Sequence, residues 1–130
     1  MTEAEMEASE RPRTLFDKVW DAHAVLRRDD GQTLLLIDRH FVHEGSFHAF
    51  GMLDHARRRL RRRDLTFGVT DHYVPSRGRG APIRDPEVAE MVRLLIDNAA
   101  RHGVTLFGLD DPRQGIVHVV GPEQGLTLPG

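Results

Sequence analysis

The alternation of short apolar runs with segments of helical periodicity most constrains how this chain can fold. The runs occupy residues 33–37, 65–70, 104–107 and 116–120. Each run has the length of a β-strand, and the segments between the first three runs include amphipathic stretches of helix length. Strands that alternate with helices predict a layered α/β/α fold with a mostly parallel sheet. The run at 33–37, which is apolar after its first residue, predicts a strand buried on both faces.

Capping residues predict where the helices begin and end. Thr14 offers an N-cap oxygen for a helix that the apolar spacing extends to Leu26. Ser46 offers one for a second helix, which we expect to continue into residues 57–63. Asp85 followed by proline predicts the start of a third helix, and Gly103 predicts its end.

The predicted domain covers residues 14–130, a length that is sufficient for one core. The polar residues 1–13 predict a flexible tail. The closing Pro129 and Gly130 are typical of a connection to a further element, which favours a boundary within a larger protein.

Composition excludes several classes of site. The 130 residues contain no cysteine, so the chain can form no disulfide, thiolate zinc site or cysteine-held iron–sulfur cluster by itself. The formal net charge of −2 gives no general attraction to nucleic acid. The sequence has no apolar run of membrane-spanning length and no secretory leader, so we expect a cytoplasmic protein without nucleic-acid or membrane partners.

Candidate catalytic residues follow the strand-like runs. Asp38 comes directly after the first run, and Asp71 and His72 come directly after the second. Ligands of open α/β sheets gather beyond the carboxyl ends of the strands. A carboxylate beside a histidine favours imidazolium, which can act as a general acid, although the loop histidine could instead bond only to backbone. His118 lies inside the last apolar run, a position more typical of a core histidine than of a catalyst.

Two other patterns have simpler explanations. His40 and His43 are three residues apart and Glu44 follows, which on a helix would suit zinc. They follow a strand and precede Gly45, so we predict no metal site. The six arginines of residues 57–63 could bind phosphates, but a solvated helix end is the simpler explanation.

Four blocks in order resemble the N-terminal region of 3-isopropylmalate dehydratase large subunits, within the aconitase family. They are Thr-Leu-Phe-Asp-Lys-Val-Trp-Asp-Ala-His at 14–23, Leu-Ile-Asp-Arg-His-Phe-Val-His-Glu at 36–44, Thr-Asp-His-Tyr-Val-Pro at 70–75 and a block from Gln114 to Gly130. The resemblance covers residues 14–130 almost continuously, and the last block is the most specific.

The resemblance implies a hydro-lyase that isomerises 2-isopropylmalate to 3-isopropylmalate in leucine biosynthesis, with a 4Fe–4S cluster as Lewis acid. It implies that Asp71 and His72 form the pair that protonates the leaving hydroxyl. It also implies that His118 is catalytic with a carboxylate further along the family's chain, and that Asp38 contacts substrate. The implied partners are the remainder of the large subunit, the small subunit and a small hydroxy-diacid substrate.

Departures from the family pattern limit what this chain can do alone. The Asp-Ser-His-Thr motif that follows in the family and its three cluster cysteines are absent, so we expect no cluster to bind here and no activity without the missing parts. Residues 43–50 also differ from relatives, which leaves citramalate or homoaconitate as possible substrates. A stand-alone binding module derived from the same fold is the alternative to an enzyme fragment.

Overall fold

A computed structural model describes residues 12–75 and 77–128. The predicted tail at 1–13 lies almost wholly outside these residues. The chain divides into two compact units, one ending at Ile37 and one comprising Asp38–Leu128. The extent predicted for the domain, 14–130, stays a prediction. No helix within the described residues is both long and apolar enough to cross a membrane.

The first unit is a helix followed by a β-hairpin. Helix α1 (Leu15–His23) starts at Thr14, whose hydroxyl accepts from the Asp17 N–H in a capping box, as the sequence predicts. Strands β1 (Ala24–Arg27) and β2 (Thr33–Leu35) then pair antiparallel. The helix therefore ends before the predicted Leu26, because the chain turns into the hairpin.

The prediction of a doubly buried parallel strand at 33–37 is wrong. Strand β2 ends at Leu35, pairs antiparallel with β1, and leaves Leu34 exposed. The Asp-Asp-Gly turn of residues 29–31 explains the difference, because a tight turn returns the chain alongside the strand it has just left.

The second unit contains the parallel sheet. Its strands are β3 (His40–Val42), β4 (Thr66–Val69) and β5 (Thr105–Phe107), in the spatial order β3-β4-β5 with both pairs parallel. The sequence predicted β4 and β5 but not β3. All four residues of the central strand are buried, as expected for a parallel strand covered on both faces.

The helices cover the two faces of this sheet, which confirms the predicted mixed α/β class. Helix α2 (Phe47–His55) and helix α3 (Pro86–His102) contribute to a core of Val42, Phe50, Leu95, Ala99 and Val104. Helix α4 (Val117–Glu123) contributes Val120 to a second core with Phe67, Val69 and Phe107. The layers are helix, sheet and helix.

Both ends of α3 agree with their predicted caps, whereas the start of α2 does not. Asp85 accepts from the Glu87 and Val88 N–H groups, and Gly103 ends α3 in the left-handed conformation. Ser46 precedes α2 but makes no capping bond to it, because its hydroxyl accepts from the His43 N–H instead. Helix α2 ends at His55, so the predicted continuation into residues 57–63 is wrong.

The predicted fourth strand at 116–120 is helical. Val117 and Val120 both pack into the second core, whereas His118 and Val119 are exposed. Burial of every third residue suits a helix, whereas a strand would bury alternate residues. The composition of the run favours a strand, but its contacts with the sheet favour the helix.

Candidate active site

The carboxyl ends of two neighbouring parallel strands bring the candidate site together. His43 and Glu44 follow β3, and Thr70, Asp71 and His72 follow β4. The strands are paired in register from His40 with Thr66 to Val42 with Gly68. Residues that follow the two strands therefore meet at the same edge of the sheet, where ligands of α/β proteins commonly bind.

Asp71 fixes the imidazole of His72. Its side chain is only 5 % exposed, and its Oδ1 lies 2.5 Å from His72 Nδ1. Its other oxygen, Oδ2, accepts from the Val117 N–H at 2.7 Å, at the start of α4. The carboxylate is thus held on both oxygens. The pairing leaves Nε2 of His72 as the ring nitrogen directed away from Asp71, on a side chain that is 47 % exposed.

Glu44 supports the turn that carries His72. Its side chain is fully buried, at 0 % exposure. Its carboxylate accepts from the His72 N–H at 3.3 Å and from the Tyr73 N–H at 3.5 Å. Such backbone donors stabilise a buried carboxylate, and the carboxylate in turn supplies these N–H groups with a hydrogen-bond acceptor. Glu44 therefore connects the end of β3 to the backbone of the segment after β4.

His43 lies against His72. The ring centroids are 3.8 Å apart and the ring planes are inclined by 14°. His43 Nδ1 accepts from the Gly45 N–H at 3.2 Å, while its backbone N–H donates to the Ser46 hydroxyl at 3.1 Å. Both bonds belong to the turn of 3₁₀ helix Glu44–Ser46. The turn thereby holds the ring that stacks on His72.

His43, Glu44 and His72 are the only trio of potential metal ligands among the described residues, with ligand atoms within 4.8 Å of one another. The stacked rings argue against shared coordination, because a single ion cannot lie in two nearly parallel ring planes. The Glu44 oxygens also already accept backbone hydrogen bonds. Metal binding at this trio would require one imidazole to rotate out of the stack.

Arg79, in the loop after Pro75, is connected to this site through the side chain of Gln114. Gln114 Nε2 donates to the Thr70 carbonyl at 2.5 Å, one residue before Asp71. Arg79 Nη1 donates to Gln114 Oε1 at 2.6 Å. These two bonds place an exposed guanidinium beside the segment that carries the Asp71–His72 pair.

The structure brings together only part of the predicted set. Asp71 and His72 are paired, and α4, which carries His118, meets Asp71 through the Val117 N–H, although His118 itself is exposed. Asp38 precedes β3, so it lies at the amino end of the sheet rather than at the predicted carboxyl end of a parallel strand. The misassigned strand at 33–37 explains this error.

Glu44 is the residue that sequence reasoning missed as part of the site. The only indication in the sequence was its position directly after His43, in a segment that we assessed only as a possible zinc site. Its burial and its bonds to residues 72 and 73 depend on the pairing of β3 with β4, and β3 was not predicted as a strand.

Comparison with known proteins identifies the family. Residues 17–130 match the aconitase family (aconitate hydratase), and this span is most of the chain. The chain belongs to the aconitase family. No solved structure matches it. As an aconitase-family domain it is part of a group of hydro-lyases, and the Asp71–His72 pair lies inside the matched region.

The iron–sulfur cluster that the aconitase family uses does not fit the residues of this chain. Protein-held clusters of this kind are bound by cysteine thiolates, and the sequence contains none. The candidate site offers imidazole nitrogens and carboxylate oxygens instead. This chain therefore lacks the thiolates that bind the cluster.

Proposed function

We propose that this chain supplies the proton-donating side chains of a hydro-lyase active site that interconverts 2-isopropylmalate and 3-isopropylmalate. The observation that carries the proposal is the Asp71–His72 pair, in which Asp71 is buried and bound on both oxygens. A histidine oriented by an immobilised carboxylate suits proton transfer at the opposite ring nitrogen. Family membership makes hydration and dehydration the reaction class to which we assign that proton transfer.

In the dehydration direction, His72 acts as the general acid. The C–O bond of the substrate alcohol breaks, and the proton on His72 Nε2 transfers to the departing oxygen, which leaves as water. The C–H proton is taken by a base on the small subunit, and a double bond forms between the two carbons. Asp71 is a positioning residue, since it keeps the imidazole in place through Nδ1.

Arg79 is the residue on this chain that we assign to a carboxylate of the diacid substrate. It is held by Gln114, which bonds to the carbonyl of Thr70 next to the catalytic pair. A guanidinium binds a carboxylate through two parallel hydrogen bonds. We expect Arg79→Gln to raise KM more than it lowers kcat.

His118 and Asp38 keep the roles that the family resemblance implies, as proposals. His118 is exposed on α4. That exposure would allow a carboxylate from the remainder of the large subunit to reach its ring. Asp38 would have to contact substrate from the other end of the sheet, so we rank it below Arg79 as a ligand.

The missing thiolates define the partners. We infer that the cluster-bearing remainder of the large subunit and the small subunit complete the site, and that the reaction belongs to leucine biosynthesis in the cytoplasm. The test mixes the three purified parts and follows the absorbance of the unsaturated intermediate with 2-isopropylmalate, citramalate and homocitrate as substrates. Turnover by this chain alone, or no turnover in any combination, contradicts the proposal.

A non-catalytic binding module is the second candidate. The chain retains the Asp71–His72 pair but contains no cysteine, and this combination favours a binding role. Calorimetry on the isolated chain with di- and tricarboxylates separates the two. Tight binding by a chain that gains no activity from the missing parts supports the module. Binding that becomes appreciable only in the assembled protein supports the enzyme.

A further inference from the structure

A concave site lies away from the Asp71–His72 pair. It is a cavity of about 860 Å³ between the segment after α2 and the end of α3. Six arginines line it: Arg57, Arg58, Arg59, Arg61, Arg63 and Arg101. The remaining walls are two aspartates, one leucine and one histidine. This cavity, which we call the arginine cavity, is strongly cationic in a chain of net charge −2.

The acidic side chains of the arginine cavity are already paired. Asp64 accepts from the guanidinium of Arg62, with contacts of 3.0 and 2.7 Å. Asp54 lies 2.7 Å from Arg101 Nη2. Within residues 12–75 and 77–128, no ion pair involves the other five lining arginines, at positions 57, 58, 59, 61 and 63. Five positive charges therefore face one cavity without a neighbouring carboxylate of their own.

One of these arginines occupies a backbone position that normally selects glycine. Helices α2, α3 and α4 all end with the same pair of backbone bonds, and in each the residue that makes the first bond is left-handed. In α3 and α4 that residue is Gly103 and Gly125, with φ of 69° and 66°. In α2 it is Arg57, with φ of 52°. The left-handed conformation is unfavourable for a residue with a Cβ, so a side chain is retained there against its backbone preference.

The lining residue His102 carries a buried nitrogen without a hydrogen-bond partner in the described part of the chain. The side chain of His102 is 6 % exposed, and its Nε2 has no hydrogen-bond partner among the described residues. Asp54 Oδ1 lies 3.3 Å away, but the geometry between them is not that of a hydrogen bond. A polar atom this deeply buried is ordinarily satisfied, so an incoming acceptor oxygen would complete its bonding.

We propose that the arginine cavity binds a small anion of linked phosphates, at the level of a di- or triphosphate. Five unpaired guanidinium groups call for more negative charge than one orthophosphate carries, and each guanidinium matches two oxygens of a phosphate. The cavity is a bounded concavity rather than a track along the surface, and none of its lining residues is an aromatic ring on which bases could stack. These features favour a compact oligophosphate over a nucleic-acid strand.

Calorimetry at fixed ionic strength tests the proposal, with orthophosphate, pyrophosphate, tripolyphosphate, ATP and citrate as probes. We expect tripolyphosphate to bind at least about tenfold more tightly than orthophosphate or citrate, given the strength of charge-assisted hydrogen bonds. Tighter binding of ATP would assign the site to a nucleoside triphosphate, and equal binding would assign it to the inorganic chain. Equal, weak binding of all five anions overturns the proposal.

Variants localise the site. Arg59→Ala and Arg61→Ala each weaken tripolyphosphate binding by about tenfold, whereas Arg93→Ala, which removes an arginine already paired with Glu90 and Asp97, leaves it unchanged. Arg57→Gly is the sharpest test, because it should keep or raise the melting temperature while it weakens binding. Equal losses from Arg93→Ala, or an RNA oligonucleotide that binds through the same arginines and resists displacement by tripolyphosphate, would show the proposal to be wrong.

Discussion

The imidazoles of His43 and His72 lie face to face, with ring centroids 3.8 Å apart. They are brought together by the parallel pairing of β3 and β4, and the buried carboxylate of Glu44 accepts hydrogen bonds from the N–H groups of His72 and Tyr73. The catalytic candidate is therefore fixed from two sides, by Asp71 at its own ring and by the 3₁₀ turn that carries His43.

His72→Gln should abolish proton donation without unfolding the chain. Glutamine has no titratable proton, so turnover by the assembled enzyme should fall by about 10²–10⁴-fold, the usual contribution of a general acid. The side chain is half-exposed, so the melting temperature should stay close to that of the unaltered protein. His55→Gln, at an exposed histidine that ends α2, is the matched control. Equal activity in the two variants would exclude His72 as the acid.

Glu44→Ala should destabilise the Asp38–Leu128 unit. It leaves the N–H groups of His72 and Tyr73 without their acceptor and empties a fully buried position. We expect a loss of at least about 2 kcal/mol in the free energy of unfolding, and a smaller loss for Glu44→Gln, which keeps one acceptor oxygen. Urea denaturation measures both. Glu123→Ala, at an exposed position, should change stability by less than about 0.5 kcal/mol, and a similar loss there would refute the role of Glu44.

Gly45→Ala should break the stack of the two imidazoles. A Cβ built on Gly45 would lie 2.9 Å from Cε1 of His43, closer than real contacts allow, so the ring must move. The ring-proton NMR signals of His72 should shift, because they lose the neighbouring aromatic ring. Gly51→Ala is the control, since its Cβ meets nothing within 4 Å. Unchanged His72 signals in Gly45→Ala would contradict the stacked geometry.

The pair formed by Asp111 and Arg113 should give a contribution to stability that disappears in acid. Hydrogen bonds from the side chain and backbone of Arg113 lower the pKa of Asp111 to about 2. Because the folded-state pKa is depressed, the stabilisation is fully present above the ordinary value of 3.8 and is lost as the pH falls through about 2.

Melting temperatures of the unaltered protein and of Asp111→Asn, compared between pH 6 and pH 2, measure this contribution. The difference between the two should be constant down to about pH 4 and should narrow below it. A difference that does not depend on pH would show that Asp111 stabilises the fold by other means.

Sequence pattern determined the parts of this protein that depend on local interactions. The Thr14 and Asp85 caps and the Gly103 helix end were predictable, because each is a bond between a residue and backbone only a few positions away. The apolar runs likewise predicted β4, β5 and the α/β class, and in the central strand β4 burial on both faces accounts for the continuous run. Asp71 and His72 could also be recognised as a pair, because they are adjacent in the sequence.

Tertiary structure alone decided the remainder. Whether residues 116–120 form a strand or a helix depends on which of their side chains meet the sheet, and the contacts of Val117 and Val120 select the helix. The hydrogen bond from the His72 N–H to Glu44 depends on the pairing of two strands that are separated along the chain by a helix. Interactions between distant segments leave no periodic trace in either segment, so the sequence by itself could not reveal them.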